Sequence, residues 1–156
     1  MKSIIEGSFY AFIMSIFVMI SVNFIMVNSR ITEKNQELRS IETYMEVNAK
    51  SEQKTASVIR TGRVEGNYYI YNNVRYDKEL INNANAAQTF TVLTNSSAES
   101  LKQAASNMGI TLTMDYMDET ESYGYIEYEA KYRLVFSVFN FGKDIVTGGM
   151  ARYIVE

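Results

Sequence analysis

The stretch SFYAFIMSIFVMISVNFIMV, residues 8–27, decides how this chain is organised. Its 20 residues carry no charge, and 16 of them are aliphatic, aromatic, Met or Ala. A helix rises about 1.5 Å per residue, so a helix of this length spans the roughly 30 Å hydrocarbon core of a bilayer. No later stretch is long and apolar enough to do the same. The sequence therefore predicts a single-pass membrane protein with a short N-terminal tail over residues 1–7 and a transmembrane helix over residues 8–27.

The apolar run is more typical of a retained anchor than of a cleaved signal peptide. Signal peptides have a shorter apolar core, of about 7–15 residues, and a small-x-small cleavage site. Here the run is longer, and Val27-Asn28-Ser29-Arg30 is a poor cleavage context. The positive-inside count favours a cytoplasmic C-terminal domain by a small margin. Because the N-terminal tail is short and the strands are rich in Tyr and Thr, we expect the domain outside the cytoplasm instead.

Composition argues against several classes of function. The chain has no His and no Cys, which removes most transition-metal sites, thiol nucleophiles and the Ser-His-Asp triad. Residues 31–156 hold 13 Lys and Arg against 17 Asp and Glu, which argues against a nucleic-acid partner. The phosphate-loop, dinucleotide, zinc-protease and nucleophile-elbow motifs are all missing from the sequence. We therefore predict that the protein is not an enzyme and holds no cofactor and no metal.

Residues 28–60 are predicted to continue the membrane helix as an amphipathic stalk. Helix-forming residues dominate this segment, and it contains neither Gly nor Pro. Apolar residues spaced seven, three and four apart lie on one side of a helix; they are Ile31, Leu38, Ile41 and Met45. We expect one helix from about residue 3 to about residue 59. A short coiled coil is the rival interpretation of the stripe.

Residues 61–156 are predicted to form a separate α+β domain. Its first part shows a strand–turn–strand pattern over residues 67–76 around Asn72-Asn73, a short helix over 77–87 capped by Asp77, and a strand over 90–94. Ser96 and Glu99 then have the spacing of a capping box, which predicts a helix that ends at Gly109.

The last third of the chain is strongly β-forming. Residues 110–116 alternate at period two, 125–139 form one long strand or a bulged pair, 140–142 interrupt it, and 147–155 supply a final strand. Short connections favour an antiparallel meander. The predicted fold class is α+β, with a long N-terminal helix, transmembrane in its first half, and a small domain that has an antiparallel sheet and one or two short helices.

Two clusters in the last third are candidate binding sites. The acidic residues Asp115, Asp118, Glu119 and Glu121 carry oxygen ligands suited to Ca²⁺, but their spacing matches no calcium loop, and a solvated hairpin tip explains them better. A second group is aromatic and would suit stacking or glycan binding; it comprises Tyr123, Tyr125, Tyr128 and Tyr132. Tyrosine is also a favoured strand residue, so a structural role remains the simpler explanation.

The long helix supplies candidate contacts for assembly. Close packing and interhelical hydrogen bonds drive association between membrane helices. The candidate residues are Phe12, Ile16 and Asn23 in the apolar run and Leu38, Ile41 and Met45 in the stalk. For Asn23 the simpler alternative is a position near the headgroups without any interhelical contact.

This order of elements resembles type IV pilin-like proteins, and among them the TadE-like pseudopilins of tight-adherence systems. The resemblance is carried by the anchor, the helical stalk to about residue 59, and the C-terminal pattern of residues 132–136, Gly142 and residues 148–156. It implies a structural subunit of a bacterial surface filament or secretion assembly, located in the cell membrane, whose partners are other pilin-like subunits or further copies of itself.

The resemblance also implies a processing site at Gly7-Ser8. Prepilins place a Glu five residues into the mature helix, where it pairs with a neighbouring subunit, and a charge at that depth needs such a partner. This chain has Phe12 at that position. A minor or initiating subunit, or an uncleaved accessory, therefore fits better than a major pilin. The alternative is a membrane-tethered extracytoplasmic binding or sensor module, which would use its Tyr-rich strands.

Overall fold

A computed structural model describes residues 2–117, 123–136 and 141–154 of the chain. It begins with one continuous helix, α1, over Lys2–Asn48. By its internal packing the chain divides into two compact units. The first combines Met1–Gln36 with Arg133–Asp144, and the second combines Glu37–Tyr132 with Ile145–Glu156.

Short helices and strands follow α1. In chain order they are β1 Ser51–Thr55, α2 Ala56–Ile59, β2 Arg63–Glu65, β3 Tyr68–Tyr71, β4 Val74–Asp77, α3 Lys78–Asn83, β5 Thr89–Leu93, α4 Asn95–Asn107, β6 Thr111–Met117, β7 Tyr123–Phe136 and β8 Phe141–Ile154. Within the described ranges, β1 pairs with β5, and a larger mixed sheet has the order β2-β3-β4-β6-β7-β8. The predicted α+β fold class is confirmed.

The predicted helical stalk is wrong beyond Asn48. Residues 51–55 form β1 instead of helix, and they pair antiparallel with β5 from Ser51↔Leu93 to Thr55↔Thr89. The segment SEQKT has no apolar residue to extend the helical stripe, whereas β5, TFTVL, is rich in β-branched residues. Pairing with this strand outweighs the helical propensity of Glu52, Gln53 and Lys54.

The tight hairpin between β3 and β4 forms where the sequence predicts it. Asn72 and Asn73 have φ angles of 48° and 61°. Two left-handed residues in succession make the type I′ turn that suits the twist of paired strands, and Asn tolerates this conformation. The start of the short helix that follows is also confirmed, because the Asp77 side chain accepts hydrogen bonds from the backbone N–H groups of Glu79 and Leu80. The helix ends at Asn83 and not at residue 87 as predicted.

The predicted all-antiparallel meander is wrong at one pair of strands. β4 and β6 run parallel, with Arg75 opposite Asp115. A parallel pair needs a long crossover connection. Residues 78–110 provide it, since they contain α3, β5 and α4. The pairs β2–β3, β3–β4 and β6–β7 are antiparallel.

The start of α4 differs from the predicted capping box. Thr94 is the N-cap residue, and its side chain accepts a hydrogen bond from the backbone N–H of Ser97. Thr94 has the extended backbone that an N-cap requires, while Ser96 already lies inside the first helical turn. The Glu99 carboxylate instead accepts a hydrogen bond from the side-chain amide of Asn95. The C-terminal end is as predicted, with Gly109 at a φ of 70°.

The two long strands differ from their predicted limits. β8 begins at Phe141 rather than at residue 147, so Phe141 and Gly142 belong to a strand and not to a break. A Cβ on Gly142 would lie 2.5 Å from Nε of Arg133, so glycine leaves room for that side chain. The predicted acidic turn over residues 118–122, and residues 137–140, lie outside the described residues.

Candidate assembly surfaces

The first half of α1 exposes apolar side chains on all sides. Every residue from 4 to 20 is exposed, including Phe12 at 64% and Ile16 at 40%. In the described part of the chain, α1 is the one helix long and apolar enough to cross a membrane, with an 18-residue window of mean hydropathy 2.2. A helix that is apolar all round needs a membrane or a protein core around it. Within this unit, Phe12 and Ile16 are therefore free to contact something outside the chain.

Three polar side chains of the apolar run, those of Ser8, Ser21 and Asn23, are bonded to their own helix. Ser8 Oγ donates to the Ile4 carbonyl oxygen at 2.9 Å, and Asn23 Nδ2 donates to the Met19 carbonyl oxygen at 2.8 Å. Such bonds reduce the cost of placing a polar group in hydrocarbon. Asn23 is only 7% exposed, so its predicted role in contacts between helices is not supported by its exposure. Gly7 and Ser8, the predicted processing site, are exposed and lie within α1.

The second half of α1 buries its apolar stripe in the second unit. Leu38, Ile41 and Met45 are 6%, 3% and 0% exposed. Polar contacts to the sheet flank the stripe: the Tyr128 hydroxyl donates to the Glu42 carboxylate, and Arg152 Nε lies 3.3 Å from Glu46 Oε1.

The chain's own strands therefore cover the stripe. The prediction that Leu38, Ile41 and Met45 contact other subunits is wrong, and so is the coiled-coil interpretation. Helical periodicity alone does not show whether an apolar stripe meets a second helix or a sheet of the same chain.

Tyr128 on β7 has a titratable hydroxyl that bonds to Glu42 on α1. Burial, and then the hydrogen bond to Glu42, raise the pKa of Tyr128 above its ordinary value. Burial also raises the pKa of Tyr76, whose hydroxyl has no hydrogen-bond partner among the described residues. The native state holds these protons more tightly than the unfolded state, so stability falls as the pH rises above about 10.

The four tyrosines predicted to form one binding surface lie on two faces of β7. Tyr128 and Tyr132 are each 5% exposed, whereas Tyr123 and Tyr125 are more accessible. Strand side chains alternate between faces, so odd and even positions separate. The prediction is wrong for Tyr128 and Tyr132. A Cβ on Gly149 would lie 2.4 Å from the Tyr128 hydroxyl oxygen, so this glycine marks the buried face.

The acidic cluster is divided in a similar way. Asp115 forms a two-pronged ion pair with Arg75, whose guanidinium carbon lies 4.9 Å from the centre of the Tyr68 ring. The other three members, Asp118, Glu119 and Glu121, lie outside the described residues. Over the described ranges, no three His, Cys, Asp or Glu side chains are grouped so that they could hold a metal ion. Asp115 is thus paired with Arg75.

The first unit contains a cleft that no sequence pattern indicated. Phe136, at the end of β7, lines a cleft of about 270 Å³ together with four residues of α1; these are Ile20, Asn23, Phe24 and Val27. More than 100 residues separate the two sides of this cleft in the sequence, and neither side carries a motif that predicts the other.

Comparison of the chain with family models, curated proteins and solved structures gives no match.

Proposed function

We propose that this chain is a membrane-anchored structural subunit of the pilin-like class, which acts by packing in a bacterial surface filament or secretion assembly. The observation that supports this most is the contrast along α1. Residues 4–20 expose apolar side chains on every side, while Leu38, Ile41 and Met45 are buried by the chain's own domain.

This contrast assigns different roles to the two halves of α1: the first half anchors and assembles the subunit, and the second half belongs to the folded domain. The second half of the helix is occupied by the domain, so contacts with other subunits fall to the first half. In lipid there is no hydrophobic driving force between helices, and close packing supplies the association energy. Phe12 and Ile16 have side chains available for this packing, and they sit within the uncharged run. The domain lies outside the cytoplasm in this proposal.

Replacement of the anchor tests the proposal. Residues 8–27 are exchanged for an unrelated transmembrane helix of the same length, and the chain is followed in membranes and in material sheared from the cell surface. A packing subunit still reaches the membrane but is lost from the sheared material. The milder variant Ile16→Ala should reduce the sheared fraction in the same direction, with Tyr125→Ala on β7 as the control that leaves it unchanged.

A membrane-tethered binding module is the second candidate. It is favoured by an open groove of about 770 Å³ beside α4, whose lining includes the polar side chains of Asn73, Lys102, Gln103 and Asn107. Such a module tolerates exchange of the anchor and loses function on changes in the groove, such as Gln103→Ala. The anchor exchange therefore separates the two candidates.

A further inference from the structure

The ends of β7 and β8 lie beside the apolar run of α1. Phe136 shares its cleft with helix residues from Ile20 to Val27, all of which belong to the uncharged stretch 8–27. Seven helical residues rise about 10 Å. Phe136 is therefore level with the last 10 Å or so of the proposed anchor, at the end nearer the domain.

The side chains at these strand ends are apolar and accessible. Val135 is 44% exposed and Phe141 is 58% exposed. The rings of Phe136 and Phe141 lie 5.9 Å apart between centroids, so they form one apolar surface. The exposed cations Arg133 and Lys143 flank this surface, at two to three residues from Phe136 and Phe141 along their strands.

An apolar end flanked by cations suits the boundary between lipid and water. Aromatic and aliphatic side chains that enter this boundary lie about 5–10 Å deep, while Lys and Arg extend to the phosphate groups. The same arrangement explains the burial of Asn23, because Phe136 helps to line the cleft around this polar side chain at membrane level.

We infer that the apolar ends of β7 and β8, namely Val135, Phe136 and Phe141, insert into the lipid beside the anchor, with Arg133 and Lys143 at the phosphate level. The partner is the bilayer itself. This inference rests on the proposed membrane anchoring, since it is the position of residues 20–27 in a membrane that brings the strand ends to the lipid. The protein would then be held at two points, by a helix and by a shallow sheet edge.

Single tryptophan probes test the inference, because the chain contains no Trp. The full chain is reconstituted in vesicles of phosphatidylcholine and phosphatidylglycerol, without brominated lipid, with lipid brominated high on the acyl chain, and, for Phe17→Trp, with lipid brominated deep in the acyl chain. Phe141→Trp reports the strand end. Met150→Trp is the matched control, because it lies on the same strand and is 59% exposed, against 58% for Phe141. Phe17→Trp, in the middle of the apolar run, reports the anchor.

The inference predicts that brominated lipid roughly halves the emission of Phe141→Trp and leaves that of Met150→Trp almost unchanged, as expected for shallow insertion. Quenching of Phe17→Trp without quenching of Phe141→Trp overturns the inference while the anchoring stands. No quenching of Phe17→Trp overturns the anchoring. Equal quenching of Phe141→Trp and Met150→Trp also contradicts insertion of the strand ends alone. Phe141→Trp could also be unquenched at a high protein-to-lipid ratio and become quenched when the protein is diluted with lipid. That result would show that a neighbouring subunit covers the surface, and it would overturn lipid as the partner.

Discussion

Truncation of Met45 to Ala should destabilise the domain by about 2.5–3.5 kcal/mol. The side chain is 0% exposed on the face of α1 that the sheet covers. Three heavy atoms leave the core, and at about 0.8 kcal/mol for each methylene-sized group their transfer to water accounts for about 2.4 kcal/mol. Each 50 Å³ of cavity that does not collapse adds about 1.2 kcal/mol.

Urea unfolding of the full chain in detergent micelles measures this change. Near-UV circular dichroism of the tyrosines reports the domain, since Tyr76 and Tyr153 are fully buried. With a slope of about 2 kcal/mol per molar urea, the midpoint should fall by roughly 1.2–1.8 M. Val47→Ala is the matched control, because Val47 lies on the same helix and is 71% exposed. Its effect should stay within about 0.5 kcal/mol.

Equal effects of Met45→Ala and Val47→Ala would refute the packing of α1 on its own domain. A difference between Met45→Ala and the unchanged chain that depends on protein concentration would refute it as well. Stability that comes from association rises with concentration, whereas stability from contacts within one chain does not.

Three further changes test individual contacts by the same unfolding measurement. Tyr128→Phe should cost about 1.5–3 kcal/mol, since a part-buried hydrogen bond to a carboxylate is lost. It should also weaken the decline of stability above pH 10, and an unchanged decline would contradict the raised pKa of Tyr128. Thr94→Ala should cost about 0.5–2 kcal/mol, because it removes the cap of α4, whereas Ser96→Ala should cost much less; the opposite order would restore Ser96 as the cap. Gly124→Ala should cost about 1–3 kcal/mol, because its Cβ would lie 2.2 Å from the fully buried Tyr153 ring; a neutral result would show that this ring moves freely.

Features that depend on neighbouring residues in the sequence were predictable. The uncharged run of 20 residues, the Asn72-Asn73 turn and the Asp77 cap each follow from local chemistry, and each is found as a helix, a hairpin or a helix start. The spacing of Leu38, Ile41 and Met45 correctly placed them on one face of a helix, and all three side chains on this face are buried.

Features that depend on distant partners were not predictable in the same way. β1 exists because residues 51–55 meet β5 across about 40 residues, and its own sequence favours a helix. The parallel pair of β4 with β6 requires a crossover that local turn signals do not reveal. The cleft that Phe136 shares with α1 has no local signal at all.

The separation of the tyrosines on β7 is an intermediate case. Alternation along a strand already places Tyr123 and Tyr125 on one face and Tyr128 and Tyr132 on the other. The sequence does not show which of these two faces is covered by the rest of the domain. Contacts from α1 supply that information, because Tyr128 donates to Glu42.

We propose that this membrane-anchored chain is a packed subunit of a surface assembly. Intact mass and N-terminal sequencing of the protein, recovered both from membranes and from sheared surface material, test it most directly. We predict that the chain is present in the sheared fraction, with Ser8 as its first residue if the processing site is used. A chain that retains residues 1–7 and is found only in membranes would contradict the claim and leave the tethered module in its place.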